Sequence, residues 1–154
     1  MKILMVCLGN ICRSPLAEGI LQHKCIAKGL NWKIESAGTA GYHVGCAPHH
    51  QSQKIALLKG VDISNQQCRK FAKDDMDRYD LIYVMDQSKY ENVKLIAEEK
   101  WNVKKVKLIL SEVNPHRNNE VPDPWNGTDA DFMHVYNLLD TACNHIITNY
   151  CAIE

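Results

Sequence analysis

The feature that most constrains this chain is its opening, where the apolar run Lys2-Ile-Leu-Met-Val-Cys7 gives way almost at once to the helix-start pair Ser14-Pro15. A nearly continuous apolar run is what a strand buried on both faces requires. Ser14 is a capping residue type, Pro15 suits the first helical position, and Leu16, Ile20 and Leu21 share one helical face, with Gly29 as a stop. A buried strand feeding directly into a helix begins an α/β architecture, and the rest of the chain repeats the alternation. Trp32-Lys-Ile-Glu-Ser36, Asp80-Leu-Ile-Tyr-Val-Met85 and Lys105-Val-Lys-Leu-Ile-Leu110 read as further strands. Residues 51–58, closed by Gly60, and residues 70–77, 87–99 and 129 to about 150 read as helices. In the last of these, Phe132, Val135, Leu139, Ala142 and Ile146 recur at helical spacing. Residues 37–48, with Gly38, Gly41 and Gly45, and residues 111–128, with three prolines, read as loops. At 154 residues the chain fits one domain, 1–154, since domains run to roughly 100–150 residues.

Composition narrows the function class. Lysine plus arginine and aspartate plus glutamate each number 18, with no long run of either sign, so no electrostatic footprint for nucleic acid is present. No apolar run approaches the ~20 residues of a membrane span, and Met1-Lys2 leads straight into a strand, so a cytoplasmic protein is expected. Seven cysteines at irregular spacing fit no disulfide framework and no paired zinc motif, and most are expected to be reduced thiols. Cys46-Ala-Pro-His49-His50 comes nearest to a ligand cluster but lacks a further ligand, so neither metal nor cofactor is expected.

In an open α/β sheet, ligands gather at the carboxyl ends of the strands, and Cys7 stands where the first strand ends. A helix start offers unpaired N–H groups and partial positive charge, so a loop curled into it cradles an oxyanion. Gly9 permits close backbone approach and Asn10 tolerates the left-handed turn of such a curl. The same field favours a cysteine thiolate. Arg13 supplies a planar fork for two phosphate oxygens, and the Ser14 hydroxyl can steady a departing thiolate. These residue types at this spacing describe a phosphate-gripping loop with Cys7 as nucleophile. Expelling an alkoxide or phenolate from phosphorus also needs a proton donor, and Asp123, held between Pro122 and Pro124, is the candidate. Asp86, Asp129 and Asp131 are weaker alternatives, the last two suiting the start of the final helix.

Val6-Cys-Leu-Gly-Asn-Ile-Cys-Arg-Ser-Pro15 resembles the signature of the low-molecular-weight protein tyrosine phosphatases. The resemblance continues through Ser36-Ala-Gly-Thr39, Tyr83-Val-Met-Asp86, Val121-Pro-Asp-Pro-Trp125, Gly127 and the Asp131-Phe132 pair, and covers nearly the whole chain. It implies a three-layer domain with a four-stranded parallel sheet flanked by helices on both faces, the phosphate loop following the first strand. It also implies no metal, and hydrolysis of phosphotyrosine proteins and small aryl phosphates through a cysteinyl-phosphate. Carried onto this sequence, Cys7, Arg13 and Asp123 are catalytic. Leu8, Gly9, Asn10, Ile11, Cys12 and Ser14 bind the phosphate, and Trp125 forms an aromatic wall. Where many relatives carry Pro-Asp followed by an aromatic or another variable residue, this sequence departs with Pro48-His49-His50, which leaves the opposite wall to His50 and Tyr42. Relatives acting on phosphoarginine resemble this loop but carry threonine where Ile11 stands, so isoleucine favours phosphotyrosine and leaves phosphoarginine as the alternative substrate. Arsenate reduction, with Cys46 and Cys68 as further cysteines, is the alternative reaction. In the family a cysteine at position 12 pairs reversibly with the nucleophile, which implies redox sensitivity. Many relatives place a histidine where Gln66 stands, and Gln66 is expected to brace Asn10 in its stead.

Overall fold

A computed structural model describes residues 1–117 and 119–152. Asn118, expected in the loop 111–128, and residues 153–154, expected at the end of the single domain, lie outside the described residues.

Four parallel strands, β1 (Lys2–Cys7), β2 (Lys33–Gly38), β3 (Leu81–Val84) and β4 (Val106–Leu108), are ordered β2-β1-β3-β4. Side chains of β1 alternate between two cores, which makes the domain three-layered. Ile3, Met5 and Cys7 join Leu16, Ile55, Phe132 and Ile146, from helices α1 (Arg13–Ala27), α2 (His50–Leu58) and α5 (Asp129–Cys151). Leu4 and Val6 face the opposite way, towards Met76 of the short helix α3 (Asp75–Arg78) and Val93 of α4 (Gln87–Ala97). Burial on both faces is the physical reason the first strand reads as an unbroken apolar run. No helix among the described residues is long and apolar enough to cross a membrane.

Some boundaries depart from the sequence reading. Helix α1 begins at Arg13 with Cys12 at the cap position and no side-chain cap, because the Ser14 hydroxyl is engaged elsewhere. The helix expected over 70–77 shrinks to Asp75–Arg78. Lys70 instead bridges Gly38, and the buried Asp75 carboxylate takes the Ala72 N–H at 2.8 Å and Arg69 at 2.9 Å, holding the preceding turn open. The fourth strand stops at Leu108 and passes into a 3-10 turn over Ile109–Glu112.

The sheet order puts β1 between β2 and β3, whose connections leave in opposite directions. This switch point opens a crevice at the carboxyl ends of β1 and β3. Residues 7–14 follow β1 there. Asp86 follows β3 and caps α4 by accepting the Lys89 N–H at 2.9 Å. The loop carrying Asp123 is tied to the same edge, since Val121 donates its N–H to the Met85 carbonyl at 2.8 Å.

Candidate active site

The loop after β1 is braced from beneath by one residue. Asn10 adopts φ 58°, the left-handed region, and its buried side chain donates to Ser14 Oγ at 2.8 Å and Ser36 Oγ at 2.9 Å. Its Oδ1 accepts the Arg69 N–H at 2.9 Å, and its backbone carbonyl accepts the Cys68 thiol at 2.7 Å. A left-handed asparagine costs little in itself, and four partners select it over every alternative. Gly38, at the end of β2, backs directly onto the loop, where a Cβ would lie 2.6 Å from the Leu8 carbonyl oxygen. Only glycine fits that approach.

Ser14 lies 3.0 Å from Cys7 Sγ. Its oxygen already accepts from Asn10, and its own hydrogen has Cys7 Sγ at 3.0 Å or the Ala37 carbonyl at 3.5 Å to choose from. The shorter contact directs that hydrogen at the sulfur, so a Cys7 thiolate has a donor waiting. Burial, with the nearby Cys7 and Asp123 charges, pushes the Cys12 thiol up to about 12, so Cys12 stays protonated in neutral solution. Burial likewise pushes Cys68 up to about 11.

Arg13 is buried, and its Nη1 donates to Asp86 Oδ2 at 2.7 Å and to the Val121 carbonyl at 3.0 Å. Burial pushes the Asp86 carboxyl up, but the Arg13 and Lys89 hydrogen bonds and charges outweigh it and hold the group below its usual range. Asp86 is therefore an anion that aims the guanidinium, which removes it as a proton donor. Asp123 Oδ2 lies 3.7 Å from the other terminal nitrogen, Nη2, and its Oδ1 accepts the Trp125 N–H at 3.0 Å. Asp131 serves the capping box of α5 with Thr128, and Asp129 pairs with Lys54.

Cys7, Arg13 and Asp123 meet at one cavity of about 270 Å³, whose mouth is formed by Tyr42, His43 and Trp125. Leu8, Gly9, Ile11 and Cys12 line its floor, whereas Asn10 and Ser14 lie beneath as supports. His50 lies outside the lining, stacked on His49 at 4.4 Å. His43 sits in a loop without periodicity, so no signal in the sequence singles it out. Gln66 does not reach Asn10: its Nε2 donates to the Pro15 carbonyl at 3.1 Å, and its Oε1 has no partner among the described residues. Ser36, Cys68 and Arg69 do the bracing; Ser36 opens the Ser36-Ala-Gly-Thr39 motif, but nothing local to any of the three residues shows that it reaches Asn10.

A further carboxylate, Glu18, stands beneath this network. Burial raises it to about 7, partly opposed by its hydrogen bond with Ser36. Cys46 and Cys68 are backbone neighbours, the Cys68 N–H donating to the Cys46 carbonyl at 2.8 Å.

The family model for low molecular weight phosphotyrosine protein phosphatase matches residues 2–151. The chain belongs to this family. A putative low molecular weight protein-tyrosine-phosphatase of Synechocystis is 39% identical over 151 residues, covering 97% of this chain and 96% of that protein. The crystal structure of YfkJ from Bacillus subtilis superposes with a TM-score of 0.90 at 31% identity, covering 100% of this chain and 96% of the other. A Drosophila arginine phosphatase superposes equally well, with a TM-score of 0.90 at 27% identity over 97% of this chain and 98% of that one.

Proposed function

We propose that this chain is a cytoplasmic protein tyrosine phosphatase, one domain that hydrolyses phosphotyrosine in proteins and small aryl phosphates through a cysteinyl-phosphate. The observation that carries this reading is the convergence on one cavity of a thiol, a fixed guanidinium and a carboxylate from positions 7, 13 and 123.

The chemistry follows from the geometry. The substrate phosphate occupies the cradle of loop N–H groups, with the free edge of Arg13 gripping its oxygens. Cys7 attacks phosphorus as a thiolate. The S–P bond forms as the aryl O–P bond breaks, and Asp123 delivers its proton to the leaving oxygen. Water then attacks the phosphocysteine, with the Asp123 carboxylate taking its proton, and the S–P bond breaks to restore the thiolate. The Ser14 hydroxyl stabilises that thiolate both before attack and as the leaving group. The half-exposed Trp125 offers its ring as a wall for an aryl group.

Hydrolysis of para-nitrophenyl phosphate tests this directly. Cys7→Ser abolishes turnover and acid-stable phosphoenzyme, and Asp123→Ala lowers kcat by about 10²–10³. Turnover retained by Cys7→Ser sinks the mechanism. The same assay reads the redox behaviour. Peroxide converts the Cys7 thiolate to a sulfenic acid, and the Cys12 thiol condenses with it, giving a disulfide and water. Thiol therefore restores wild type more fully than Cys12→Ser, and equal recovery removes the disulfide.

The similarity to an arginine phosphatase favours phosphoarginine as a second reading. Ile11 at the cavity floor and the Trp125 wall favour the aryl substrate. A higher kcat/KM on phosphoarginine than on phosphotyrosine reverses the ranking.

A further inference from the structure

We propose that His43 and His49 are positioning residues that clamp Trp125 and, through its backbone N–H, hold the Asp123 carboxylate over the cysteine loop. The inference rests on the phosphatase reading above and assigns a role to two imidazoles which that mechanism leaves unused.

Asp123 is loosely placed for a group that must meet a leaving oxygen. Its side chain is 45% exposed, and its described contacts are the Trp125 N–H on Oδ1 and Arg13 Nη2, 3.7 Å from Oδ2. Small displacements of an acid cost rate steeply, so whatever fixes Trp125 fixes the acid. Two imidazoles meet the Trp125 ring. His43 lies against it at a tilt, with centroids 5.7 Å apart, and His49 meets it edge-on at 5.3 Å.

Each imidazole is anchored to the phosphate loop. His43 lies over Gly9, so closely that a Cβ added there would stand 3.0 Å from His43 Cδ2. It thus spans from the loop that bears the nucleophile to the tryptophan that follows the acid. His49 donates its backbone N–H to the Ile11 carbonyl at 2.8 Å and caps α2 by accepting the Gln51 N–H on Nδ1 at 3.1 Å. Its ring also stacks on Phe132 of α5 at 5.2 Å. Accepting on Nδ1 requires neutral imidazole. Burial and the neighbouring His50 and His43 charges, which hold its pKa below the usual value, agree with that. The acid loop is therefore tied at its base by Val121 and at its tip by two rings mounted on the phosphate loop and α2.

The test is the dependence of kcat/KM on the leaving group, measured from para-nitrophenyl phosphate through phenyl phosphate to a phosphotyrosine peptide. His43→Ala removes one ring. His49→Asn removes the other while keeping an acceptor at the helix cap. Poor leaving groups depend more on protonation, so each variant loses about tenfold on phenyl phosphate and threefold or less on para-nitrophenyl phosphate. His43→Phe restores the wild-type dependence. In an Asp123→Asn background His43→Ala costs nothing further, since the two act on one step. A loss that is uniform across the series, or no loss, overturns the clamp while leaving the phosphatase intact. If wild type hydrolyses none of these esters, the phosphatase reading falls and the clamp with it.

Discussion

The floor of the cavity and its wall are built on opposite principles. Beneath the floor, Asn10 and Ser14 are buried, and Asn10 is held by four partners drawn from three parts of the chain. The wall rises from two loops whose tips carry Tyr42, 77% exposed, and Trp125, 45% exposed, held chiefly by ring contacts. The floor must present N–H groups and a thiolate in one arrangement for any phosphate ester. The wall need only suit one group of substrates, and ring contacts allow it to change without disturbing what lies below.

Substitutions can break that contrast. The largest effect is expected at Gly38→Ala, where the new methyl group meets the Leu8 carbonyl and the loop backbone must move. A loss of about 3 kcal/mol, or roughly 10 °C in Tm, with activity falling alongside, is expected by urea and thermal unfolding. An unchanged Tm would mean the floor is pliable.

Glu18→Gln probes the underside of the floor. Burial raises this carboxyl from 4.5 to about 7, so the native state binds the proton more tightly than the unfolded chain. The contribution of this group is then most favourable below about pH 4.5 and declines as pH rises towards 7. Glu18→Gln is expected to be neutral at pH 4 and stabilising by on the order of 1 kcal/mol at pH 8. Equal effects at the two pH values would remove the buried charge from the account.

Trp125→Ala should show the converse. Stability changes by less than about 1 kcal/mol, as at most surface positions, while kcat/KM falls several-fold on aryl phosphates, which lose the wall, and at least as far on alkyl phosphates, whose poorer leaving group depends more on the acid that Trp125 positions. A large fall in Tm would make the wall part of the core.

The same division explains what the sequence discloses. The strand Lys2–Cys7 and the loop after it are legible because burial on both faces, the left-handed turn and the arginine fork are each written into adjacent residues. Asp123 is legible from its flanking prolines and from the chemistry's need for an acid. The braces are another matter: Ser36, Cys68 and Arg69 reach Asn10 only after β2 and the segment beyond α2 have folded against the loop. Gln66, expected among them, turns instead to the Pro15 carbonyl. His43 was invisible because a glycine-rich loop has no period from which to infer facing. Asp86 stands at the end of a strand, where ligands gather, but only its 2.7 Å contact tells an aiming anion from an acid.

The close packing of Gly38 against the Leu8 carbonyl bears on whether this catalytic element is portable. The segment from Cys7 to Ser14 reads as self-contained, yet grafted alone onto another strand and helix it would arrive without its seat. A transplant would have to carry the end of β2, with Ser36 and Gly38, and the Cys68-Arg69 pair, so the smallest unit that can be moved or inherited is a spatial patch assembled from three separate stretches of chain.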